Sequence, residues 1–242
     1  MKRETTNKIR FIIEDVMPPI LRDSGAFRWL AKRAWGDHID RLAEFRSRAP
    51  FLSEKEYEDL YREHPLVHDG SENSQACIDH ILKDIEGQSV CDIGCGSGYL
   101  LREIKSATPV LARYAGVDLV IDKTGSEAGI EFIESKIETL PFDTNEFDTV
   151  VCTHVLEHIL DIAGAIHELR RITAKRLIIV VPREREYRYT FNPHFHFFPY
   201  AHSFLRYMTP VPKAHRVIDI GRDIYYVEDM QDAREDNKTQ AA

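Results

Sequence analysis

No stretch of about eighteen apolar residues occurs in the 242-residue chain, so no segment reads as crossing a membrane. Its start lacks the basic, apolar and small-residue pattern of a secretory leader. Cysteine is sparse: the four residues are Cys77, Cys91, Cys95 and Cys152, and no two have the C-x-x-C spacing of a zinc site. Cys91 and Cys152 fall in predicted buried strands, where cysteine acts as a small hydrophobe. Together these absences predict a reducing, cytoplasmic setting. No cluster of Asp, Glu and His has metal-ligand spacing, so no metal is expected. There is no Gly-Lys-Ser/Thr, which removes a P-loop, and no internal repeat or low-complexity tract. Positive charge is short as well. With 32 Lys and Arg against 40 Asp and Glu, the net charge of −8 disfavours nucleic acid, DNA included, as a partner. The deficit is uneven. Residues 1–50 hold eleven basic and seven acidic residues, an excess of four positive charges that leaves −12 for the remainder.

What is present is organised around Val90-Cys91-Asp92-Ile93-Gly94-Cys95-Gly96-Ser97-Gly98-Tyr99-Leu100. A predicted strand, Ser89 to Ile93, runs into glycines at three alternate positions and then into a helical pattern with Leu100, Leu101 and Ile104 on one face. Glycine serves where the backbone takes positive φ or lets a ligand come close. A helix starting near Ser97 offers free N–H groups to that ligand. The nicotinamide and flavin fingerprint would want its third glycine where Tyr99 stands. Asp92, inside the strand, would repel a pyrophosphate and suits a ligand carrying an amine and a sulfonium. The pattern h-D-h-G-x-G-x-G resembles motif I of the class I S-adenosylmethionine-dependent methyltransferases.

Around this unit the chain alternates helix and strand from Ser74. That predicts an α/β, Rossmann-like doubly wound sheet, mostly parallel, with a C-terminal antiparallel hairpin. Predicted strands are Ser89–Ile93, Tyr114–Asp118, Ile130–Ser135, Phe147–Thr153 and Arg176–Val181. Predicted helices are Gln75–Ile85, Ile159–Ile172 and one within Phe198–Met208, with a short helix expected in Asp122–Gly129. Arg216–Ile220 and Asp223–Val227 read as the hairpin, and a polar tail follows from Glu228. Residues 1–70 read as helical: Ile9, Ile12, Ile13 and Val16 share a face, Phe27, Leu30, Ala31, Ala34 and Trp35 share another, Asp37 to Phe45 continues, and Ser53 to Glu56 is a capping box. The expected organisation is a helical lid or brace over 1–70, the sheet domain over 74–228 and a tail over 229–242. The basic N-terminal helices are also candidates for peripheral contact with an acyl chain, a membrane or a partner.

The methyltransferase resemblance implies S-adenosylmethionine as cofactor and assigns candidate roles. Asp92, Gly94, Cys95, Gly96, Gly98 and Tyr99 would form the glycine loop. Asp118, beside Leu119 at the end of the second strand, would accept from the ribose hydroxyls, with Asp122 the alternative. Ser135-Lys136-Ile137-Glu138-Thr139-Leu140-Pro141-Phe142 is similar to the family's adenine loop. Lys136 stands where the family carries an acid, so either a backbone carbonyl or Glu138 would meet the adenine amino group, with Ile137 N–H on the ring nitrogen. Phe147 to His158 resembles the family's F-D-x-V-x-x-x-x-V-L-E-H and places Thr153, His154 and Val155 beside the methionine part. The Asn-Pro-Pro-Tyr of nucleobase-amine methyltransferases is missing. Residues 1–65 faintly resemble leaders of methyltransferases associated with bacterial surface-polysaccharide synthesis. The expected reaction moves a methyl group to oxygen or nitrogen of a small molecule or glycan intermediate, with His158 as general base and His194 as runner-up. A non-catalytic binder, or a protein or nucleic-acid methyltransferase, are the alternatives. Nothing in the chain speaks to oligomeric state.

Overall fold

Helical pieces come first. A π-helical turn covers Ile12–Val16, α1 Pro19–Arg22 and α2 Gly25–Trp35. Pro19 stands at the first position of α1, where a missing N–H costs nothing. Ser24 caps α2 by accepting from Phe27 N–H at 3.1 Å, and Gly36, at φ 91°, ends it. Ser53 and Glu56 form the expected capping box: Ser53 N–H donates to the Glu56 carboxylate at 2.8 Å, and Glu56 N–H to Ser53 Oγ at 3.4 Å. The computed structural model describes residues 11–36, 45, 47–53, 55–57, 59, 70–121, 128–186 and 193–230. Described residues within 1–69 and 184–199 form one unit, and those within 70–183 and 200–242 another. In the first, the Phe195 ring packs 4.9 Å from that of Phe45 and 6.1 Å from that of Tyr57.

The second unit runs α3 (Gln75–Asp84), β1 (Ser89–Ile93), α4 (Tyr99–Ala107), β2 (Arg113–Asp118), β3 (Glu131–Glu134), β4 (Phe147–Thr153), α5 (Ile162–Ile172), β5 (Thr173–Pro182), α6 (Ala201–Leu205), β6 (His215–Ile220) and β7 (Asp223–Asp229). Its seven strands form one sheet in the order β3-β2-β1-β4-β5-β7-β6. The first five are parallel, and β7 is antiparallel to β5 and β6. Strand order reverses between β1 and β4, so the carboxyl ends of these two strands open a crevice where such sheets bind ligands. Cys77, Ile78 and Ile81 of α3 and Leu100, Leu101 and Ile104 of α4 are buried against the sheet with Val90, Val151, Ile178 and Val180. Ile162, Ala165, Ile166, Leu169 and Ile172 repeat the helical spacing on α5.

The boundaries depart from the sequence reading where side chains intervene. Helix α5 starts at Ile162 rather than Ile159, because Asp161 caps it through Gly164 N–H at 3.0 Å. Helix α4 starts at Tyr99, after a left-handed Gly98, two residues beyond Ser97. Strand β5 begins at Thr173, three residues earlier than expected, directly off the end of α5. Strand β7 continues through Glu228 and Asp229, where a polar tail was expected. The fully buried Glu228 carboxylate accepts from Arg170 Nε and Nη2, each at 2.7 Å, and from Tyr226 OH at 2.7 Å. In α2, Leu30 and Ala34 face outward instead of joining the buried Phe27–Ala31 side. In the preceding turn Ile13 is buried, whereas Ile12 and Val16 are more than half exposed. Ile9, Asp37 to Glu44, residues 61–69, Asp122 to residue 127 and the tail from 231 lie outside the described residues.

Candidate functional site

The loop after β1 is held by its own backbone. Gly94 and Cys95 both donate to Val117 O, at 2.7 and 3.0 Å, which folds the loop over the end of β2. Gly94 sits at φ +77°, and a Cβ there would lie 2.0 Å from Val155 Cγ2, so no larger residue fits. Gly96, at φ +50°, differs: no atom lies within 4 Å of where its Cβ would point, and that open space lets another molecule approach the backbone. Arg102 Nη1 fixes the loop from outside by donating to Ser97 O at 2.8 Å. Cys95 is buried, and its burial pushes the thiol well up. Tyr99 opens α4, and its ring flanks Gly70.

Two carboxylates converge on this loop. Asp92 is 2% exposed; burial first, and then the Asp118 charge, push its carboxyl up from 3.8 to about 7. Its Oδ1 is buried and has no hydrogen-bond partner among the described residues. Asp118 Oδ2 accepts from Gly96 N–H at 2.7 Å, and Oδ1 from Val120 N–H at 3.3 Å. Burial also raises the Asp118 carboxyl, against these backbone donors. A carboxylate has about four acceptor positions, so both oxygens keep capacity toward the crevice. Leu119 follows directly and is partly buried, while Asp122 lies outside the described residues.

At the end of β4 the chain turns sharply. His154 holds φ 56°, uncommon for a residue with a side chain, and its N–H donates to Val180 O at 2.9 Å. Its ring lies among three acids: Nδ1 is 3.8 Å from Glu72 and 3.7 Å from Glu157, and Nε2 is 3.8 Å from Asp223. Asp223 also receives the Cys77 thiol at 3.5 Å. Thr153 Oγ1 accepts from Asn73 Nδ2 at 2.9 Å. Asn73 is 7% exposed, and its buried Oδ1 takes no hydrogen bond among the described residues. Val155 packs over Gly94. His158 closes a 3-10 turn, Leu156–His158, with Nε2 4.0 Å from the buried Glu157 carboxylate. Glu72, Asn73 and Asp223 belong to no recognisable motif. Only the fold brings them here, and no local signal could have found them.

The loop after β3 forms a 3-10 turn, Ile137–Thr139, preceded by Lys136 in extended backbone. Ile137 is buried and Glu138 is partly exposed. Helix α5 pins the next residues: Leu140 N–H donates to Glu168 at 3.2 Å, and Arg171 donates to Phe142 O at 2.6 Å and Leu140 O at 3.1 Å. His194 belongs to the other unit, where it is buried with Nδ1 2.7 Å from the buried Glu184 carboxylate.

Residues 91–181, from within β1 to the end of β5, match the family model described as "Methyltransferase domain". A fatty-acid O-methyltransferase of Mycolicibacterium smegmatis is 36% identical over 78 residues, 28% of this chain and 27% of that protein. A ubiquinone biosynthesis O-methyltransferase of Alkalilimnicola ehrlichii is 26% identical over 103 residues, 38% of this chain and 39% of that protein. The matches thus span well under half the length of these curated relatives. Among solved structures, the PH0226 protein of Pyrococcus horikoshii superposes with a TM-score of 0.55 at 17% identity, covering 71% of this chain and 98% of that one. That likeness shows the fold, and the glycine loop lies inside the matched domain. Residues 91–181 thus resemble a methyltransferase domain, and the sheet that holds them has the fold of the PH0226 structure.

Proposed function

We propose that this chain is a methyltransferase that moves a methyl group from S-adenosylmethionine to an oxygen or nitrogen of a small molecule or glycan intermediate. One observation carries the cofactor assignment. Two buried acceptor oxygens, Asp92 Oδ1 and Asn73 Oδ1, have no donor among the described residues. Asp92 lies in β1, and Asn73 donates to Thr153 at the end of β4. An unmatched buried acceptor costs about 1–3 kcal/mol, which a cationic ligand with N–H donors would relieve. Bound at this loop, S-adenosylmethionine supplies a methyl group on a positively charged sulfur.

The residues then divide the work. Gly94, Cys95, Gly96, Gly98 and Tyr99 shape the open backbone that receives the ligand. Asp118 and Leu119 hold the ribose, and Ile137 N–H and Glu138 hold the adenine ring. Thr153, His154 and Val155 line the methionine end, with Asn73 added to that set. His158 accepts the proton that a hydroxyl acceptor releases, and His194, oriented by Glu184, is the second candidate. The names of two relatives as O-methyltransferases support oxygen as the accepting atom. Asp118→Ala should weaken S-adenosylmethionine binding by about 1–3 kcal/mol, read by calorimetric titration, because charged hydrogen bonds to ribose are lost. Unchanged affinity would transfer the ribose role to Asp122. A turnover assay on hydroxyl-bearing and amine-bearing acceptors tests the reaction itself, and cofactor binding without transfer to either class would contradict it.

A further inference from the structure

In helix α2, Ala31 is 2% exposed and Phe27 is partly buried. Steps of about 100° per residue carry Trp29 and Arg33 to the side opposite Ala31 and put Leu30 and Lys32 on its two flanks. Trp29 is 62% exposed, Leu30 is 56% exposed, and both cations are exposed. Single exposed apolar side chains are ordinary, but these stand in a series. Val16, Ile20 and Leu21, on the two preceding elements, are each more than half exposed. Ser24 Oγ, donating to Leu21 O at 2.7 Å, ties α1 to α2.

Charge identifies what this face meets. Helix α2 holds Arg28, Lys32 and Arg33 and no acid. Of the acids just before it, Glu14 is buried, Asp15 lies 3.7 Å from Arg185 and Asp23 lies 3.5 Å from Arg22. Residues 1–50 carry an excess of four positive charges in a chain of net charge −8. Protein–protein interfaces are depleted in lysine. A lipid surface favours an aromatic ring at headgroup level beside long cationic side chains whose stems lie along the apolar boundary. No described helix is long and apolar enough to cross a membrane, so the contact would lie in the plane of the surface.

We infer that the outward face of α2, with the exposed apolar residues leading into it, docks on an anionic lipid surface. The inference stands apart from the proposed reaction. Its test is co-sedimentation of the full chain with vesicles of equal parts phosphatidylglycerol and phosphatidylcholine, against phosphatidylcholine alone. Binding is expected to the anionic vesicles, at least tenfold weaker to the neutral ones, and to weaken as salt rises. K32Q/R33Q should weaken anionic binding about 25-fold, since each cation near such a surface contributes about fivefold. W29S/L30S should weaken binding to both vesicle types at least tenfold. Circular dichroism checks that each variant stays folded. The inference fails if the chain does not sediment with anionic vesicles, or if neither pair of substitutions changes its binding. It fails equally if W29S/L30S instead abolishes a dimer seen by analytical ultracentrifugation in a chain that ignores vesicles, which would assign the face to a second copy.

Discussion

Replacing His158 by alanine is expected to slow methyl transfer about 10²–10⁴-fold at neutral pH, with S-adenosylmethionine affinity within about twofold of the parent. His158 lies in the turn immediately after β4, four residues beyond His154 and in the same unit as the glycine loop. In the proposed reaction a side chain there takes the proton of the acceptor hydroxyl and is not needed to hold the cofactor. The parent rate should rise with pH as the base loses its proton, and that rise should vanish in the variant. Steady-state turnover at several pH values checks both points. If His158→Ala keeps its rate while His194→Ala loses it, the base is His194. If neither matters, transfer proceeds by alignment of an already nucleophilic acceptor.

Arg170→Ala is expected to destabilise the fold by about 3–5 kcal/mol, seen as a lower midpoint in urea unfolding. The cause is specific. Glu228 is fully buried, and both its oxygens receive Arg170. Arg170 Nη2 also donates to Met208 O at 2.9 Å, so one guanidinium ties α5 to β7 and to the segment after α6. Among the described residues, removing it leaves the buried carboxylate with only the Tyr226 hydroxyl as a side-chain donor. Replacing Arg170 and Glu228 together by apolar residues should recover much of the loss, because neither charge is then stranded. A loss under about 1 kcal/mol for Arg170→Ala would mean that solvent reaches Glu228 once the guanidinium is gone.

The sheet and the glycine loop were legible in the sequence because their signals are local. Alternate glycines, an acid inside an apolar strand and the spacing of Leu100, Leu101 and Ile104 each announce themselves within a dozen residues. Strand β7 was cut short at Val227 because Glu228 reads as surface. Only its pairing with Arg170, 58 positions earlier, makes a buried glutamate tolerable. The outward turn of Leu30 was hidden for a related reason. Helical spacing groups Leu30 with Ala34 as readily as Phe27 with Ala31, and tertiary packing chooses between them. The contacts around β4 were out of reach: Asn73 meets Thr153 across 80 positions, and Cys77 meets Asp223 across 146.

The central claim is that the loop after β1, with Asp92 beneath it, receives a cationic ligand. In the free protein the carboxyl of Asp92 is raised from 3.8 to about 7, so the folded state holds a proton that the unfolded state has lost. The stability this lends is complete below the ordinary carboxylate value. It falls away as pH rises toward about 7, by about 1.4 kcal/mol per unit. A bound cation reverses the preference, because it favours the charged carboxylate. The decisive measurement is calorimetric titration of S-adenosylmethionine into the parent and Asp92→Asn at pH 6 and pH 8. The parent should bind about tenfold more tightly at the higher pH and release about one proton at the lower. Asp92→Asn should bind weakly, with little pH dependence. Failure of the parent to bind at either pH, or equal pH dependence in both proteins, would contradict the account.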